Sequence, residues 1–374
     1  KMVRRFDDYR LWFTIAFLIR FGLLMIDSAS SYKAQLDYNG NAAYFMTRQG
    51  VIALGGFAFM ILISRLDYRW YAKFYKLAIA VSWFMMIAVS FVGRRFNGKR
   101  RWLGVGPLSF QPTELVKITI IVSVAVLLVK LGRDVDRPAG IARIAMVVLP
   151  LAAIVAANNL SSGIIIAGIG FVMLFVASRK KLWYFLVMAA GGLVIAFAPQ
   201  IGNGLRALHL LKPYQLNRIN VWKNPEAFAS DGGYQVLQGL YAIGSGGLFG
   251  KGLGESIQKL GFVPEAQNDM IFSIICEELG LFGAVALILV FMFMIYRFMV
   301  LASNAPDLFG CLLVVGVMAH IAIQVILNIA VVTNTIPNTG ITLPFISYGG
   351  TSIVFLEAEM GMVLSVSNQI KLAK

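Results

Sequence analysis

The run Met270-Ile-Phe-Ser-Ile-Ile-Cys-Glu-Glu-Leu-Gly-Leu-Phe-Gly-Ala-Val-Ala-Leu-Ile-Leu-Val-Phe-Met-Phe-Met-Ile-Tyr296 decides the fold. Its length exceeds the roughly 20 apolar residues that a helix needs to cross a hydrocarbon core. Only Glu277 and Glu278 interrupt it. Neighbouring residues on a helix point in different directions, so at most one of the two shares a cavity with the segment before the run. That segment, Gly261-Phe-Val-Pro-Glu-Ala-Gln-Asn-Asp269, is polar, and Pro264 fixes its approach to the helix. Glu265 and Asp269 lie on it, four residues apart. Asp269 therefore stands at the mouth of a spanning helix, wet enough to ionise yet close to hydrocarbon. Carboxylates are costly there and mark a substrate path or a catalytic site. The competing reading is a helix cap, with Asn268 or Asp269 accepting from free N–H groups of the first turn.

The rest of the chain repeats the pattern. Of 374 residues, 59% are hydrophobic and 14% charged, where a soluble domain carries about a quarter charged residues. The mean hydropathy is +0.76. Ten stretches read as spans, near 11–28, 48–64, 75–93, 113–130, 141–157, 160–177, 183–199, 270–296, 308–330 and 351–367. The expectation is an all-α polytopic membrane protein of about ten transmembrane helices, one integral domain over residues 1–374. A large extracytoplasmic loop, 200–269, separates helices 7 and 8. The first stretch resembles a signal peptide, but Arg20 within it and nine further spans favour a retained helix. A net charge of +15 raises nucleic acid as a partner, and the apolar content argues against it. Cys276 and Cys311 sit inside apolar runs and read as free thiols. His209 and His320 are too far apart in sequence to suggest a zinc site.

Ten spans put both termini on one side. If that side is the cytoplasm, the short basic connectors face inward as the positive-inside rule requires. The short loop Gly93-Arg-Arg-Phe-Asn-Gly-Lys-Arg-Arg101 then breaks the rule, and its outward cations call for an anionic ligand or for lipid headgroups. After it, Pro112 suits the first turn of the fourth span. Glu114 and Lys117 share one face of that helix, as a local ion pair or as the lining of a sugar or phosphate cavity. The large loop carries Arg206, His209, Lys212 and Arg218. It then runs into the glycine-dense stretch Leu240–Gly254, where backbone N–H groups and Lys251 are suited to a phosphate. A P-loop is excluded there, because Ser245 and Gly252 replace the glycine and hydroxyl residue it needs. The last outer loop, 333–352, reads as a folded cap over a cavity and includes Ser347. Gln324 and Asn328 share one face of the ninth span, as interhelical glue or cavity lining.

Several stretches together resemble the SEDS family (shape, elongation, division and sporulation; RodA, FtsW and SpoVE). They are Arg101-Trp-Leu-Gly through Gln111-Pro-Thr-Glu-Leu-Val-Lys117; Gly233-Tyr-Gln with Ala242-Ile-Gly-Ser-Gly-Gly-Leu-Phe-Gly-Lys-Gly-Leu-Gly254; Val263-Pro-Glu-Ala-Gln-Asn-Asp269 with Glu277-Glu-Leu-Gly280; and Pro344-Phe-Ile-Ser-Tyr-Gly-Gly350. The resemblance implies an inverting peptidoglycan glycosyltransferase that polymerises lipid II into β-1,4-linked glycan, with undecaprenyl pyrophosphate leaving. It implies Asp269 as the essential aspartate and general base. Arg101, Glu114, Lys117, Lys251, Glu265 and Ser347 are the expected substrate-binding residues, and Mg or Mn the expected divalent cation. The implied setting is the bacterial cytoplasmic membrane, with cytoplasmic termini and an extracytoplasmic site. The implied partners are lipid II, nascent glycan, a class B penicillin-binding transpeptidase and other division or sporulation membrane proteins. A Phe- and Met-rich surface on the eighth and ninth spans, around Phe291–Met294, is offered for the transpeptidase. The wording around Asp269 and Ile336-Pro-Asn-Thr-Gly340 is closer to FtsW and SpoVE than to RodA. Two departures stand out. Gln267 and Asn268 replace the family's His and Thr, and Asn158-Asn-Leu-Ser-Ser162 lacks the acidic residue usual before the sixth span. A RodA-type elongation polymerase, a lipid II flippase or a scaffold remain the alternatives.

Overall fold

The computed structural model describes residues 8–96, 99–105, 108–197, 200 and 213–370. The described residues hold twelve α-helices. They are α1 (Tyr9–Asp37), α2 (Tyr44–Arg65), α3 (Tyr71–Val92), α4 (Pro112–Leu131), α5 (Pro138–Asn158) and α6 (Leu160–Ala177), followed by α7 (Leu182–Ala196), α8 (Pro213–Lys223), α9 (Tyr234–Ser245), α10 (Ile271–Ser303), α11 (Leu308–Val332) and α12 (Ser352–Ser367). Eight of them, α1 to α6, α10 and α11, are long and apolar enough to cross a membrane. The protein is a multi-pass membrane protein of all-α class.

The expected seventh and tenth spans are helical but short. α12 has 16 residues, about 24 Å at the helical rise of 1.5 Å per residue. That falls short of a core roughly 30 Å thick. The short basic loop also differs from expectation. It forms β1 (Arg94–Phe96), β2 (Lys99–Val105) and β3 (Leu108–Phe110), an antiparallel sheet in the order β1-β2-β3. Strands this short, broken by glycine and crowded with arginine, show no alternation of apolar and polar residues that would betray them.

Helix boundaries follow local chemistry. Asp8 accepts from Leu11 N at the start of α1 and Asp307 from Gly310 N at the start of α11, each satisfying an otherwise free N–H. Pro112 and Pro138 open α4 and α5. Asn159 alone separates α5 from α6, in keeping with the short gap between the expected fifth and sixth spans.

Hydrogen bonds assign the two ends of the bundle. At one end Asp8 pairs with Arg297 at 2.8 Å, Tyr68 and Arg69 with Asp307, and Asn368 with the Ser64 carbonyl. Both ends of the described chain lie there. The opposite end carries the sheet, the α5–α6 turn, α8, α9 and the segments 246–270 and 333–351. Tyr348 N donates to Gln267 O, Trp222 Nε1 to Asn334 O and Ser161 Oγ to Thr339 O. Between the ends, α4 and α11 are the most enclosed of the long helices. Residues 198–199 and 201–212, with Arg206, His209 and Lys212, lie outside the described residues, as do Asn97 and Gly98 in the basic loop.

The glycine-dense stretch is pinned rather than loose. α10 is broken at Gly280, whose φ is 67°, a left-handed conformation that costs glycine little. Residues 247–252 bond across the break. Lys251 N and Gly252 N donate to the Glu277 and Glu278 carbonyls, while Leu281 N and Phe282 N donate to Gly247 and Leu248. A Cβ on Gly250 would lie 2.2 Å from Glu278 O. The segment thus supplies the backbone bonds that the interrupted helix lacks, as any non-helical chain at membrane depth must.

Candidate functional site

α10 begins at Ile271 with Met270 as its N-cap and no side-chain cap bond. The capping reading of Asp269 is therefore excluded. Its carbonyl is held by Asn328 Nδ2 of α11 at 2.9 Å, and the same amide bonds Ile341 O at 2.6 Å. The carboxylate is left over. Oδ1 is buried and finds no hydrogen-bond partner among the described residues, and Oδ2 would lie 3.6 Å from a Cβ added to Gly340, whose φ is +70°. Burial pushes the acid up from 3.8 to about 7. The negative charge of Glu265 adds to the rise, while its own backbone N–H and Arg218 oppose it.

Two arginines bracket the segment against Asp269. Arg218 Nη1 donates to Asn338 O at 3.3 Å, and Arg101 Nε to Asn158 O at 3.0 Å. Ser161, three residues beyond Asn158, holds Thr339 O at 2.8 Å. Arg218 had stood in the sequence only as one basic loop residue among several. A helix of the large loop, α8, carries it toward the acid, which no local pattern announces. Side chains of Arg94–Arg100 lie outside the described residues, so of the basic loop only Arg101 is placed at this end.

Glu265 lies beside Asp269, with φ +55°. Its carboxylate takes Lys33 Nζ at 3.4 Å and the Asn268 amide. One turn down α11 from Asn328, Gln324 belongs to a small cavity of ≈ 20 Å³, about one water-sized group. Glu114, Thr342, Ser347, Phe345 and Leu356 also line it. Glu114 and Lys117 form the ion pair that their spacing allows, at 2.8 Å and nearly buried, and Glu114 also reaches the cavity. Lys117 reaches Gln324 Oε1 at 3.4 Å. Ser347 lines the cavity while its Oγ accepts from Leu343 N at 2.8 Å, so it also holds the turn together.

Lys251 is not brought to this site. Its ammonium bonds Glu277 Oε1 at 2.6 Å, and Ser245, Ser256 and the N–H groups of Ile257 and Gln258 crowd the same carboxylate. Lys259, unnoticed in the sequence, pairs with Glu278 at 3.0 Å beside Ser28. Neither glutamate faces Asp269. The phosphate-cradle expectation for Lys251 gives way to an anchor, because a buried carboxylate recruits the nearest cation. Of the offered docking surface, Met292 and Phe293 face outward, whereas Phe291 and Met294 are core residues.

Among the described residues no three His, Cys, Asp or Glu side chains converge on a metal position. Glu265 is occupied by Lys33 and Asn268, so Mg or Mn would meet one carboxylate, Asp269. Among the described residues there is no cage for it.

Fold and site together define a multi-pass membrane protein whose polar site lies at the bundle end opposite the two ends of the described chain. The chain belongs to the FtsW/RodA/SpoVE family, described as "Cell cycle protein", whose profile matches residues 9–372. It is 37% identical over 355 residues to "Stage V sporulation protein E" of Bacillus subtilis (strain 168), covering 94% of each chain. It is 34% identical over 375 residues to "Probable peptidoglycan glycosyltransferase FtsW" of the same organism, covering 99% of this chain and 93% of that one. A chain from the solved structure described as "Structural coordination of polymerization and crosslinking by a peptidoglycan synthase complex" matches with a TM-score of 0.79 at 27% identity, covering 97% and 98% of the two chains. Thermus thermophilus RodA matches with a TM-score of 0.71 at 25% identity, covering 98% of each.

Proposed function

We propose that the protein is a peptidoglycan glycosyltransferase of the FtsW/SpoVE type, polymerising lipid II at the bundle end that carries Asp269. The observation that carries the reading is the Asp269 carboxylate, buried at Oδ1, without a partner there among the described residues and within reach of the Arg218 charge, in a chain whose relatives include proteins named for that activity. A sugar hydroxyl is a weak nucleophile, and a carboxylate with a pKa near working pH is suited to take its proton. In one displacement, the acceptor's 4-hydroxyl loses its proton to Asp269 as its oxygen bonds the donor's anomeric carbon. The bond from that carbon to the pyrophosphate breaks, undecaprenyl pyrophosphate leaves, and the α-linkage becomes a β-1,4 bond. Arg101 and Arg218 offset the charge growing on the leaving group.

The site end is assigned to the extracytoplasmic face and the termini to the cytoplasm, because the short basic connectors lie at the termini end. In a background lacking Cys276 and Cys311, a cysteine replacing Asn41 should react with an impermeant thiol reagent in intact cells. One replacing Arg133 should not. The reverse labelling would overturn the orientation. The partner is assigned as a class B penicillin-binding transpeptidase, on the strength of the synthase complex that matches this chain. The deciding experiment is purified protein with lipid II in detergent, without vesicles. Glycan chains are expected from the wild type and none from Asp269→Asn. A wild type that makes no polymer, yet moves lipid II across vesicle bilayers, would instead be a transporter.

A further inference from the structure

A second polar cluster lies deeper in the bundle, away from Asp269. His320 of α11 is fully buried. Its Nδ1 is 2.7 Å from Glu359 Oε2 of α12, and its Nε2 is 2.8 Å from Gln324 Oε1. Gln324 Nε2 donates to the Thr342 carbonyl at 3.0 Å, and Gln324 Oε1 also takes Lys117 Nζ at 3.4 Å. Glu114 completes the chain through its 2.8 Å pair with Lys117. Glu114 and Gln324 are the two members that line the cavity.

Proton accounting fixes the roles. Thr342 O only accepts, so the Gln324 amide must present its nitrogen there and its oxygen to His320. His320 must therefore carry a proton at Nε2. At Nδ1 it faces a carboxyl group, and one further proton sits between the two, on the ring or on Glu359. Either way the pair is neutral overall, which makes it tolerable at membrane depth. Lys117 and Glu114 likewise cancel. The wall they build is thus polar without net charge. With Leu343, Phe345 and Leu356 also lining the cavity, it suits a hydroxyl group better than a bare pyrophosphate.

We propose that His320 and Glu359 are positioning residues. Their shared proton orients the Gln324 amide, and through it the Lys117–Glu114 pair, so that the cavity receives a hydroxyl group of the substrate's sugar. The assignment of the ligand as a sugar rests on the glycosyltransferase reading, whereas the hydrogen-bond order does not.

The test uses the full-length protein in detergent and has two arms. With His209→Gln, His320 is the single histidine left of two, and selective 15N-histidine labelling reports its ring directly. The expected spectrum shows Nε2 protonated and Nδ1 hydrogen-bonded, with the Nδ1 signal retained in Glu359→Gln and lost in Glu359→Leu. A bare Nε2 would overturn the proposal whether or not the protein polymerises lipid II. In the kinetic arm, Glu359→Leu should raise KM for lipid II about three- to tenfold, the loss of roughly one hydrogen bond, with kcat within about twofold. Glu359→Gln, which still donates to Nδ1, should restore KM. In a Gln324→Leu background Glu359→Leu should add nothing, since the two act as one unit. Additive costs, a fall in kcat alone, or no rescue by glutamine would each overturn the positioning role. Melting temperatures of the variants separate misfolding from mispositioning. A wild type that fails to polymerise sinks the enzymatic reading and leaves the spectroscopic arm to decide the hydrogen-bond order.

Discussion

Asp269 stands just before the start of α10, and Glu277 and Glu278 two turns inside it, yet the protein treats these acids in opposite ways. The two glutamates are fully buried and each is matched by a lysine, Lys251 at 2.6 Å and Lys259 at 3.0 Å. Asp269, at the bundle's end, has no ion pair and a buried oxygen without a partner among the described residues. Burial of an unpaired carboxylate is costly, so a fold that leaves one in place gives up stability there. Pairing marks an acid that holds structure, and its absence at the polar end of the bundle marks one free to exchange a proton. Glu357 limits the rule. It lies fully buried against Gly56 of α2, and neither oxygen has a partner among the described residues, but it sits on α12 inside the bundle rather than on the polar segments at its end. Lack of a partner points to chemistry only where substrate can reach.

The largest effect that tests this contrast belongs to Asp269. Asp269→Asn should cut polymerisation about a hundred- to ten-thousand-fold, the usual reach of a general base. The fold should not suffer. The folded acid holds its proton up to about pH 7 against an ordinary 3.8. The stability it contributes is therefore full below about pH 4 and is lost as pH rises toward 7. At pH 8 the asparagine variant should melt at or above the wild-type temperature. A near wild-type rate would move the base to Glu265 or Glu114.

The glutamates should behave in reverse. Glu278→Ala strands Lys259 in the interior and should cost roughly 3–5 kcal/mol, read as a lower melting temperature in detergent. The double change Glu278→Leu with Lys259→Met should recover much of it. Single variants that keep full stability would show the pairs to be dispensable, and the contrast with Asp269 would collapse.

Smaller effects sharpen the contrast. The rate at limiting lipid II should climb with pH, with a midpoint near 7 for the wild type, because only the ionised aspartate accepts a proton. Glu265→Gln removes a like charge and should move that midpoint to lower pH, by less than one unit. Arg218→Ala should move it upward. A midpoint that ignores both would assign the limb to another group. Smallest of all is Lys33→Ala. Its pair with Glu265 is exposed on both sides, and such pairs are worth about 0–1 kcal/mol, so stability should hardly change.

The sequence by itself determined the membrane class, the position of most spans and the placing of Asp269 before α10. These depend on the length of apolar runs and on residues near one another in the chain, and hydrophobic length sums locally. Pro112 at the start of α4 and the short gap between the fifth and sixth spans were legible for the same reason. Only the tertiary structure decided which charges are spent and which remain. Glu278 meets Ser28 from α1, His320 of α11 meets Glu359 of α12, and Arg101 meets the Asn158 carbonyl. Lys251 shows the difference most plainly. Its glycine-rich setting reads as a phosphate site, yet packing puts it on Glu277. A charge pairs with whatever the fold brings within a few ångströms, and that distance depends on how helices pack rather than on spacing along the chain.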